Sequence, residues 1–524
     1  MSITAPDERR AAVRAGVAGW TTPTRVLTLT AAVTAAATFW VVEDGLTDDA
    51  YISLSAARNL AVHGEWSIVA GHTANTSTSP LNVLALGLIT FVTRLWGSAD
   101  PMLALCVLNI LAASLLGYSL ARICRALNLG TGWGAVALLL VLTNPFLLSA
   151  VGLEVLLIPA VLFAMLSAAL ESRALWFGVA AGSAVLVRLD LIVFVVVFVA
   201  LSRAIRRRWR TAALCFCAVA LPWYLFSWVA LGSFVPDTFL IKQGQATEVG
   251  GYDYLTGPLL FLDHDPLVTI VSFGPAIVGV LLAVPTLLAA ANRIRGLPRI
   301  PAELPAMAVG GAIYFIAYVV MDTVPYHWYY VTPMVALAGF AALASGTLIQ
   351  AAPRRAPLSA VGGLCAALSI ALGAGALAAD FVRELPWRSP PIFGNWATAS
   401  DYERVGLALR DRIGDAAVRS PGEIGSLAYF CECTIVDEFS DRAIVVRDRL
   451  QPRLADANPI SRLILRSNYA FLDYGVKPVT PRYELRYEPG TGPPGNDAFD
   501  VHVEGRGPGH FLLAPIQVPP PVTP

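Results

Sequence analysis

Two adjacent carboxylates, Asp48 and Asp49, follow directly after the first long apolar segment of the chain. Ionisable groups at the edge of a bilayer are costly to place, which makes them candidates for function. Because neighbouring carboxylates repel, one pKa of the pair should rise unless a cation intervenes. A carboxylate here can accept a proton from an attacking hydroxyl, or can ligate a hard cation such as Mg²⁺, Mn²⁺ or Ca²⁺. The alternative is a solvated helix cap, for which Thr47 and Asp48 are suitable.

Three ionisable residues interrupt later apolar stretches. Glu154 lies in a Val-Gly-Leu-Glu-Val-Leu run, and Arg188 and Asp190 flank Leu189. An ionisable group in such a run is a candidate site residue, although Glu154 can also sit at the headgroup level at little cost. An arginine near carboxylates can hold a phosphate by a two-pronged contact, which is our prediction for Arg188. The alternative is that Arg188 and Asp190 pair with each other.

Two further cationic candidates lie near aromatic or polar residues. Lys242 follows Asp237 in a Pro-Asp-Thr-Phe-Leu-Ile run, and His327 follows Tyr326 in an aromatic cluster. We predict that Lys242 and His327 also contact the phosphate. Otherwise Lys242 is an interfacial lysine whose head reaches water, and the aromatic residues form a membrane-interface belt.

The segment from Thr73 to Asn82 is dense in hydroxyl and amide groups. Such groups suit recognition of a sugar or a phosphate, but an ordinary polar loop has the same composition. The predicted substrate-binding residues are Asn75, Thr78, Ser79, Asp190, Asp237 and Tyr326.

The composition is that of a polytopic α-helical membrane protein. The chain has 524 residues, of which 56% are hydrophobic and 14% charged, with a mean hydropathy of +0.62. Soluble domains contain about 25% charged residues, and one membrane crossing needs about 20 apolar residues. The predicted crossings are 26–42, 101–121, 133–150, 155–171, 174–187, 190–202, 211–231, 266–290, 305–321, 329–348 and 358–379.

The basic residues predict the orientation, because they are enriched in cytoplasmic loops. They place the N-terminus, residues 1–25, in the cytoplasm and later basic groups on the same side. These residues are Arg9, Arg10, Arg14, Arg25, Arg122, Arg125, Arg173, the cluster 203–210, Arg293, Arg295, Arg299, Arg354 and Arg355. The transmembrane domain is then 26–379. Its first outer loop, 43–100, contains an interfacial helix at 48–63 and an in-plane or re-entrant helix at 80–96.

The tail, 380–524, is rich in Pro, Gly and charge, and we predict that it forms an exported domain. The runs 415–418, 424–430 and 434–436 predict a small β-α-β unit, and the part after Tyr487 is predicted to be partly irregular. Cys431 and Cys433 stand in a compartment that permits disulfides, and both the bridged and the reduced forms stay open.

The motif Asp48-Asp49-Ala50-Tyr51-Ile52-Ser53, with Thr78-Ser79-Pro80-Leu81 later, resembles GT-C superfamily glycosyltransferases. More narrowly, it is similar to the actinobacterial subset that includes terminal arabinofuranosyltransferases of mycobacterial arabinan. Gly152-Leu153-Glu154, Val187-Arg188-Leu189-Asp190 and the segment 232–242 resemble motifs of that subset in the same order. One departure is Leu189, where the subset often has Pro.

The resemblance implies an inward N-terminus, an interfacial first loop with a catalytic Asp, and a polyprenyl-phosphate sugar donor. It extends to Asp48 or Asp49, Glu154, Arg188 and Lys242. Glu154 would orient the acceptor or hold a divalent cation together with Asp48 and Asp49.

These observations predict a plasma-membrane glycosyltransferase that transfers a sugar, arabinofuranose in the first instance, to a cell-envelope glycan or glycolipid on the outer face. No glycine-rich loop has the strand–turn–helix context of a nucleotide site, so neither a nucleotide cofactor nor a nucleic-acid partner is expected. The alternatives are a mannosyltransferase of the same fold acting on a glycolipid or protein, a lipid-linked-sugar transporter or flippase, and an inactive scaffold. Transporters often show paired repeats, and this chain shows none.

Overall fold

The computed structural model describes residues 21–243, 249–293, 300–351, 357–495, 497–504 and 506–516. Some basic residues used for the orientation lie outside this part of the chain, namely Arg9, Arg10, Arg14, Arg295, Arg299, Arg354 and Arg355. The predicted N-terminal segment 1–25 is therefore described only from residue 21 onward.

The described chain is mostly helical. In chain order the α-helices are α1 (Thr22–Val42), α2 (Asp48–His63), α3 (Pro80–Leu95), α4 (Pro101–Ala126), α5 (Thr131–Leu142), α6 (Pro145–Leu148), α7 (Leu157–Leu170), α8 (Ala174–Val187), α9 (Ile192–Leu201), α10 (Arg203–Arg207), α11 (Trp209–Ala230), α12 (Thr238–Gln243), α13 (Gly257–His264), α14 (Pro266–Ala290), α15 (Glu303–Val320), α16 (His327–Ala351), α17 (Pro357–Val382), α18 (Ala399–Ile413), α19 (Gly425–Cys431), α20 (Arg442–Val445), α21 (Gln451–Asp456) and α22 (Pro459–Asn468). Short 3₁₀ turns cover Glu43–Gly45, Glu154–Leu156 and Leu189–Leu191, and a π-helical turn covers Val446–Leu450.

Seven of the described helices are long and apolar enough to cross a membrane: α1, α4, α11, α14, α15, α16 and α17. The other predicted crossings correspond to the shorter apolar helices α5, α7, α8 and α9. Helix α16 is almost wholly buried and packs against α14, α15 and α17, so it forms the centre of the bundle. The chain is therefore a multi-pass membrane protein, as the composition predicts.

One predicted crossing, 133–150, was wrong as a single helix. Helix α5 ends at Leu142, and the Asn144 side chain caps α6 by accepting hydrogen bonds from the N–H groups of Phe146 and Leu147. The Asn144 side chain also donates to the Ser272 carbonyl oxygen of α14, at 3.1 Å. An asparagine that satisfies backbone groups in this way starts a new helix, although the surrounding sequence is apolar throughout.

The C-terminal domain is a small α/β unit built on a five-stranded sheet. The strands are β1 (Val418–Arg419), β2 (Ile435–Val436), β3 (Tyr483–Pro489), β4 (Ala498–Val503) and β5 (Gly507–Pro515). Their order in the sheet is β2-β1-β3-β5-β4. Strand β1 pairs in parallel with β2 through α19, which confirms the predicted β-α-β unit.

The part after Tyr487, predicted to be partly irregular, contains two strands as well as connecting loops. Strands β4 and β5 pair antiparallel there, and β5 pairs with β3 in a register that places Leu485 opposite Leu513. Phe499 pairs with Phe511 across β4 and β5, and both are buried in the domain core. Gly507, Pro508, Gly509 and Pro515 lie near the ends of β5, where this strand still pairs with β4 or β3.

Candidate functional site

The first outer segment is held in place by two close backbone approaches. At Gly425, a Cβ atom would lie 2.0 Å from the backbone oxygen of Asp48, so only glycine allows α19 to lie this close to α2. At Gly152, φ is +102° and a Cβ atom would lie 2.3 Å from the Cβ of Ala50. Glycine is favoured at both positions, because it alone has no Cβ and tolerates positive φ. Together the two contacts fix α2 and bring the Glu154 turn beside it.

Asp48 points into the junction between α2 and the C-terminal domain. Its carboxylate accepts hydrogen bonds from the N–H groups of Gly425, at 3.0 Å, and Ser426, at 2.7 Å. The side chain is buried, and burial raises the pKa of Asp48 to about 6, although the two hydrogen bonds lower it. Asp48 therefore anchors α2 to α19 of the C-terminal domain.

Asp49 is half-buried on a different side of α2, where it interacts electrostatically with Lys242 and Glu154. Burial raises the pKa of Asp49, the Lys242 charge lowers it, and Glu154 adds to the rise. The net pKa is above that of an ordinary aspartate. A carboxylate with a raised pKa is a stronger proton acceptor, as a general base requires.

Lys242 lies on the short helix α12 between two tyrosine rings. Its Nζ donates a hydrogen bond to the Tyr329 hydroxyl and lies 4.9 Å from the centre of the Tyr329 ring and 5.9 Å from that of Tyr326. Burial lowers the pKa of Lys242, but Tyr329 and Asp49 more than offset this, so the ammonium stays charged. No carboxylate lies within 4.0 Å of Lys242 in the described part of the chain. The ammonium therefore has hydrogen-bonding capacity left for an anion.

Arg188 bridges two carboxylates. At the end of α8, its Nη1 donates to Glu154 at 2.6 Å, and its Nη2 donates to Asp190 at 2.8 Å and to the Tyr318 hydroxyl at 2.7 Å. Tyr314 and Tyr318 also donate to Asp190. The alternative left open by the sequence, pairing of Arg188 with Asp190, is what the structure shows. Asp190 is thereby occupied as a partner of Arg188 and is not free for substrate.

His327 packs in the core. Its ring lies edge-on to Phe146, with centroids 6.3 Å apart, and its Nε2 is 3.3 Å from the Ser149 carbonyl oxygen. The structure thus does not place it beside Lys242 as a phosphate ligand. Its neighbour Tyr326 is partly exposed and stacks on Trp328, with centroids 4.6 Å apart.

Two predicted substrate-binding residues make contacts within the protein. Asn75 is buried and donates to the Ser227 and Ser233 hydroxyls at 2.8 and 2.9 Å, whereas its Oδ1 has no hydrogen-bond partner among the described residues. Asp237 forms an ion pair with Arg442 of the C-terminal domain, at 2.9 Å between Oδ2 and Nε. Substrate binding by these two side chains stays a prediction.

The remaining predicted contacts of this loop differ in exposure. Thr78 is exposed, whereas Ser79 is buried at the start of α3. The Ser79 hydroxyl has no hydrogen-bond partner among the residues that the structure describes. Substrate binding by Thr78 and Ser79 stays a prediction.

The predicted ligand set for a divalent cation does not come together. In the described ranges, no three His, Cys, Asp or Glu side chains form a group that would hold a metal ion. Asp48 is bonded to the backbone of α19 and Glu154 to Arg188, so the two face different partners. The structure also joins Cys431 and Cys433 in a disulfide, one of the two forms left open by the sequence.

Several contributors to the site escaped the sequence reasoning. Tyr314, Tyr318 and Tyr329 contact the charged groups, but tyrosines are common at membrane interfaces, so the sequence of the cluster at 326–330 also fits an anchoring belt. The spacing of four between Tyr314 and Tyr318, on one face of α15, is the signal that was available. Gly425 and Ser426 have no polar side-chain signal, because they contribute backbone N–H groups.

Three comparisons with solved structures concern the fold. ArnT from Cupriavidus metallidurans in the apo state is 12% identical, covers 93% of this chain and 97% of its own, and has a TM-score of 0.52. ArnT bound to undecaprenyl phosphate is also 12% identical, over 94% of this chain and 98% of its own, with a TM-score of 0.51. The third structure is the archaeal oligosaccharyltransferase AglB from Archaeoglobus fulgidus, in complex with an inhibitory peptide and a dolichol-phosphate. It is 11% identical, covers 89% of this chain and 70% of its own, and has a TM-score of 0.49.

The chain has the GT-C fold. The agreement with ArnT over almost the whole of both chains confirms the fold class predicted from the sequence. At 12% identity this likeness concerns the fold alone. The chain matches no protein-family model and no curated protein.

Proposed function

We propose that the protein is a membrane glycosyltransferase that moves one sugar from a polyprenyl-phosphate donor to an acceptor hydroxyl at the outer face of the membrane. The observation that carries this proposal is the electrostatic interaction of Asp49, from the segment after the first crossing, with Lys242, from a much later loop, although the two do not form an ion pair. Transfer from a phosphate leaving group requires a proton acceptor and a cation in the same site. The fold of ArnT, which was crystallised with undecaprenyl phosphate, supports this choice of donor.

In the proposed reaction, the Asp49 carboxylate accepts the proton of the attacking hydroxyl. The acceptor oxygen forms a bond to the anomeric carbon, and the bond from that carbon to the phosphate oxygen breaks. The polyprenyl phosphate leaves with the electron pair of that bond, and Lys242 stabilises its negative charge. Each group thus acts on charge that develops during transfer.

Arg188 acts mainly as a positioning residue in this proposal. Its guanidinium is held by Glu154 and Asp190, so most of its hydrogen-bonding capacity is used. It lies close enough to interact electrostatically with Lys242, and its Cζ is 5.5 Å from the centre of the Tyr329 ring. We infer that Arg188 fixes Glu154 and Tyr329 around the reacting groups, with a secondary contribution to the positive potential at the phosphate.

The sugar is proposed to be arabinofuranose and the acceptor a cell-envelope glycan, on the strength of the sequence resemblance. The stacked pair of Tyr326 and Trp328 supports a sugar site, because partly exposed aromatic faces offer apolar surface to a sugar ring. Thr78 is an exposed hydroxyl of the first loop and remains a candidate contact.

The decisive experiment replaces Asp49 by Asn in purified, reconstituted protein supplied with labelled polyprenyl-phosphate arabinofuranose and mannose. We expect transfer to fall by about 10²- to 10⁴-fold, the usual contribution of a general base. Asp44→Asn is the matched control, because Asp44 is an exposed acid of the same segment. Near wild-type turnover of Asp49→Asn refutes the role of Asp49. Label that crosses the membrane without transfer favours a transporter, and label that does neither favours a scaffold.

A further inference from the structure

Helix α22 of the C-terminal domain presents an exposed apolar face. Ile460, Leu463 and Ile464 are 73%, 67% and 64% exposed, and their spacing places them on one side of the helix. Phe471, one turn past the helix end, is also exposed. Single exposed apolar residues are ordinary, but a contiguous patch of large ones marks an interaction surface.

The opposite face of α22 is well packed. Leu465 packs with the buried cluster of Leu240, Leu450 and Tyr469. Arg462 donates hydrogen bonds to backbone carbonyl oxygens at the end of α21 and just after it, at 3.0 to 3.1 Å. The orientation of the helix is therefore fixed, and the exposed face is a consequence of that orientation.

The end of α22 is bonded to the end of a membrane-crossing helix. Trp228, in the last turn of α11, donates from Nε1 to the Ser467 carbonyl oxygen at 2.8 Å. The Val235 N–H, just beyond α11, donates to the Asn468 side chain at 2.7 Å. The rings of Trp228 and Phe471 meet edge to face, with centroids 5.1 Å apart. These contacts place α22 at the level where α11 ends.

Apolar side chains are exposed on both sides of the contact between α11 and the end of α22. Leu225 and Val229 are exposed in the last two turns of α11, as expected for a membrane-crossing helix that faces acyl chains. Phe471, just past the end of α22, is exposed as well and packs against Trp228. Arg466 is exposed beside the apolar face of α22, in the position from which a cation reaches anionic headgroups.

We propose that α22 and Phe471 form a second membrane anchor, which lies in the interface plane with Ile460, Leu463 and Ile464 among the acyl chains and Arg466 at the phospholipid headgroups. The sequence pattern is that of an interfacial amphipathic helix. Lipid is the occupant, because the exposed Phe471 contacts Trp228 in the last turn of α11, a helix long and apolar enough to cross the membrane. The anchor sets the height of the C-terminal domain above the membrane, and it does not depend on the proposed reaction.

The test uses the full chain in vesicles of phosphatidylethanolamine and phosphatidylglycerol, with a nitroxide label on Ile464→Cys. Collision with oxygen, which concentrates in lipid, is compared with collision with a water-soluble nickel complex. We expect the label to prefer oxygen, at a depth of about 5–10 Å. The matched control is Leu407→Cys, an exposed leucine on α18 of the same domain, whose label should prefer nickel. Unsubstituted protein gives the background from the five described free cysteines.

Two outcomes overturn the proposal. A label at position 464 that collides with nickel as freely as the label at 407 places the face in water. A label protected from both quenchers places it against protein, either a second copy or another partner. A photoreactive phospholipid provides a second measurement on the unsubstituted chain: it should label 459–471 several-fold more than 399–413, and equal labelling contradicts the anchor.

Discussion

Replacing Asp48 by Ala should loosen the junction between α2 and the C-terminal domain. The carboxylate accepts two backbone hydrogen bonds, from Gly425 at 3.0 Å and from Ser426 at 2.7 Å. Leaving a buried donor without a partner costs about 1–3 kcal/mol, so the two lost partners should cost the Ala variant about 2–6 kcal/mol of junction stability. Removing the buried charge returns about 3 kcal/mol at pH 7 in the Ala and the Asn variant alike, so the Ala variant should be the less stable of the two by about one unsatisfied donor.

Replacing Asp48 by Asn should have a much smaller effect at pH 7. The amide keeps one accepting oxygen, so one hydrogen bond survives. The loss of the other is offset, because the Asp48 pKa of about 6 means that keeping this carboxylate ionised in the junction costs free energy. Against its usual pKa of 3.8, that cost is about 3 kcal/mol at pH 7. We therefore expect the Asn variant to be nearly as stable as the wild type at pH 7, and less stable than the wild type at pH 5.

Hydrogen–deuterium exchange of the Gly425 and Ser426 amides in reconstituted protein measures the stability of the junction between α2 and the C-terminal domain directly. A difference of about 2 kcal/mol between the two variants corresponds to exchange about 30-fold faster in the Ala variant, since about 1.4 kcal/mol is a factor of ten. Asp44→Ala is the control, because this exposed acid should leave the junction unchanged. Equal exchange in the Ala and Asn variants refutes the assignment of Asp48 as the anchor.

Two further predictions concern charge. Lys242→Gln should raise the KM for the polyprenyl-phosphate sugar by about 10- to 150-fold, the loss of one hydrogen bond between charged groups of about 1.5–3 kcal/mol; an unchanged donor KM in a transfer assay contradicts its phosphate role. Burial raises the pKa of Asp437 to about 7, so the folded domain holds this proton more tightly than the unfolded chain. The contribution of Asp437 to the free energy of unfolding is then greatest below about pH 4 and falls as the pH rises towards 7. Thermal unfolding at pH 5 and pH 8 should show this decline, and Asp437→Asn should flatten it.

The membrane-crossing helices were largely predictable, because the length of an apolar run is a local property of the sequence. The break between α5 and α6 was not, since it depends on Asn144 finding the Ser272 carbonyl oxygen on α14. The strands after Tyr487 were missed for a similar reason: β4 depends on pairing with β5 and on packing against the domain core, which the local sequence does not show.

The residues near the site were predictable from the sequence, but the contacts that each one makes were not. The types and positions of Asp48 and Asp49 pointed to the segment that contains the proposed base, but adjacent residues on a helix point about 100° apart. Which of them faces the site depends on where α19 packs, and α19 lies far along the chain. The same limit applies to Arg188, for which both phosphate contact and pairing with Asp190 were chemically reasonable.

The contact between Asp48 and α19 changes how the role of the C-terminal domain should be tested. Deleting residues after about 395 would remove Gly425 and Ser426, which hold the residue directly before the proposed base. Such a deletion should therefore reduce transfer to every acceptor, whether or not the domain binds glycan. A substitution on the domain surface that leaves exchange at Gly425 unchanged separates the two roles: if acceptor affinity falls while the donor KM holds, the domain binds glycan. If only junction variants reduce transfer, the domain serves to position Asp49.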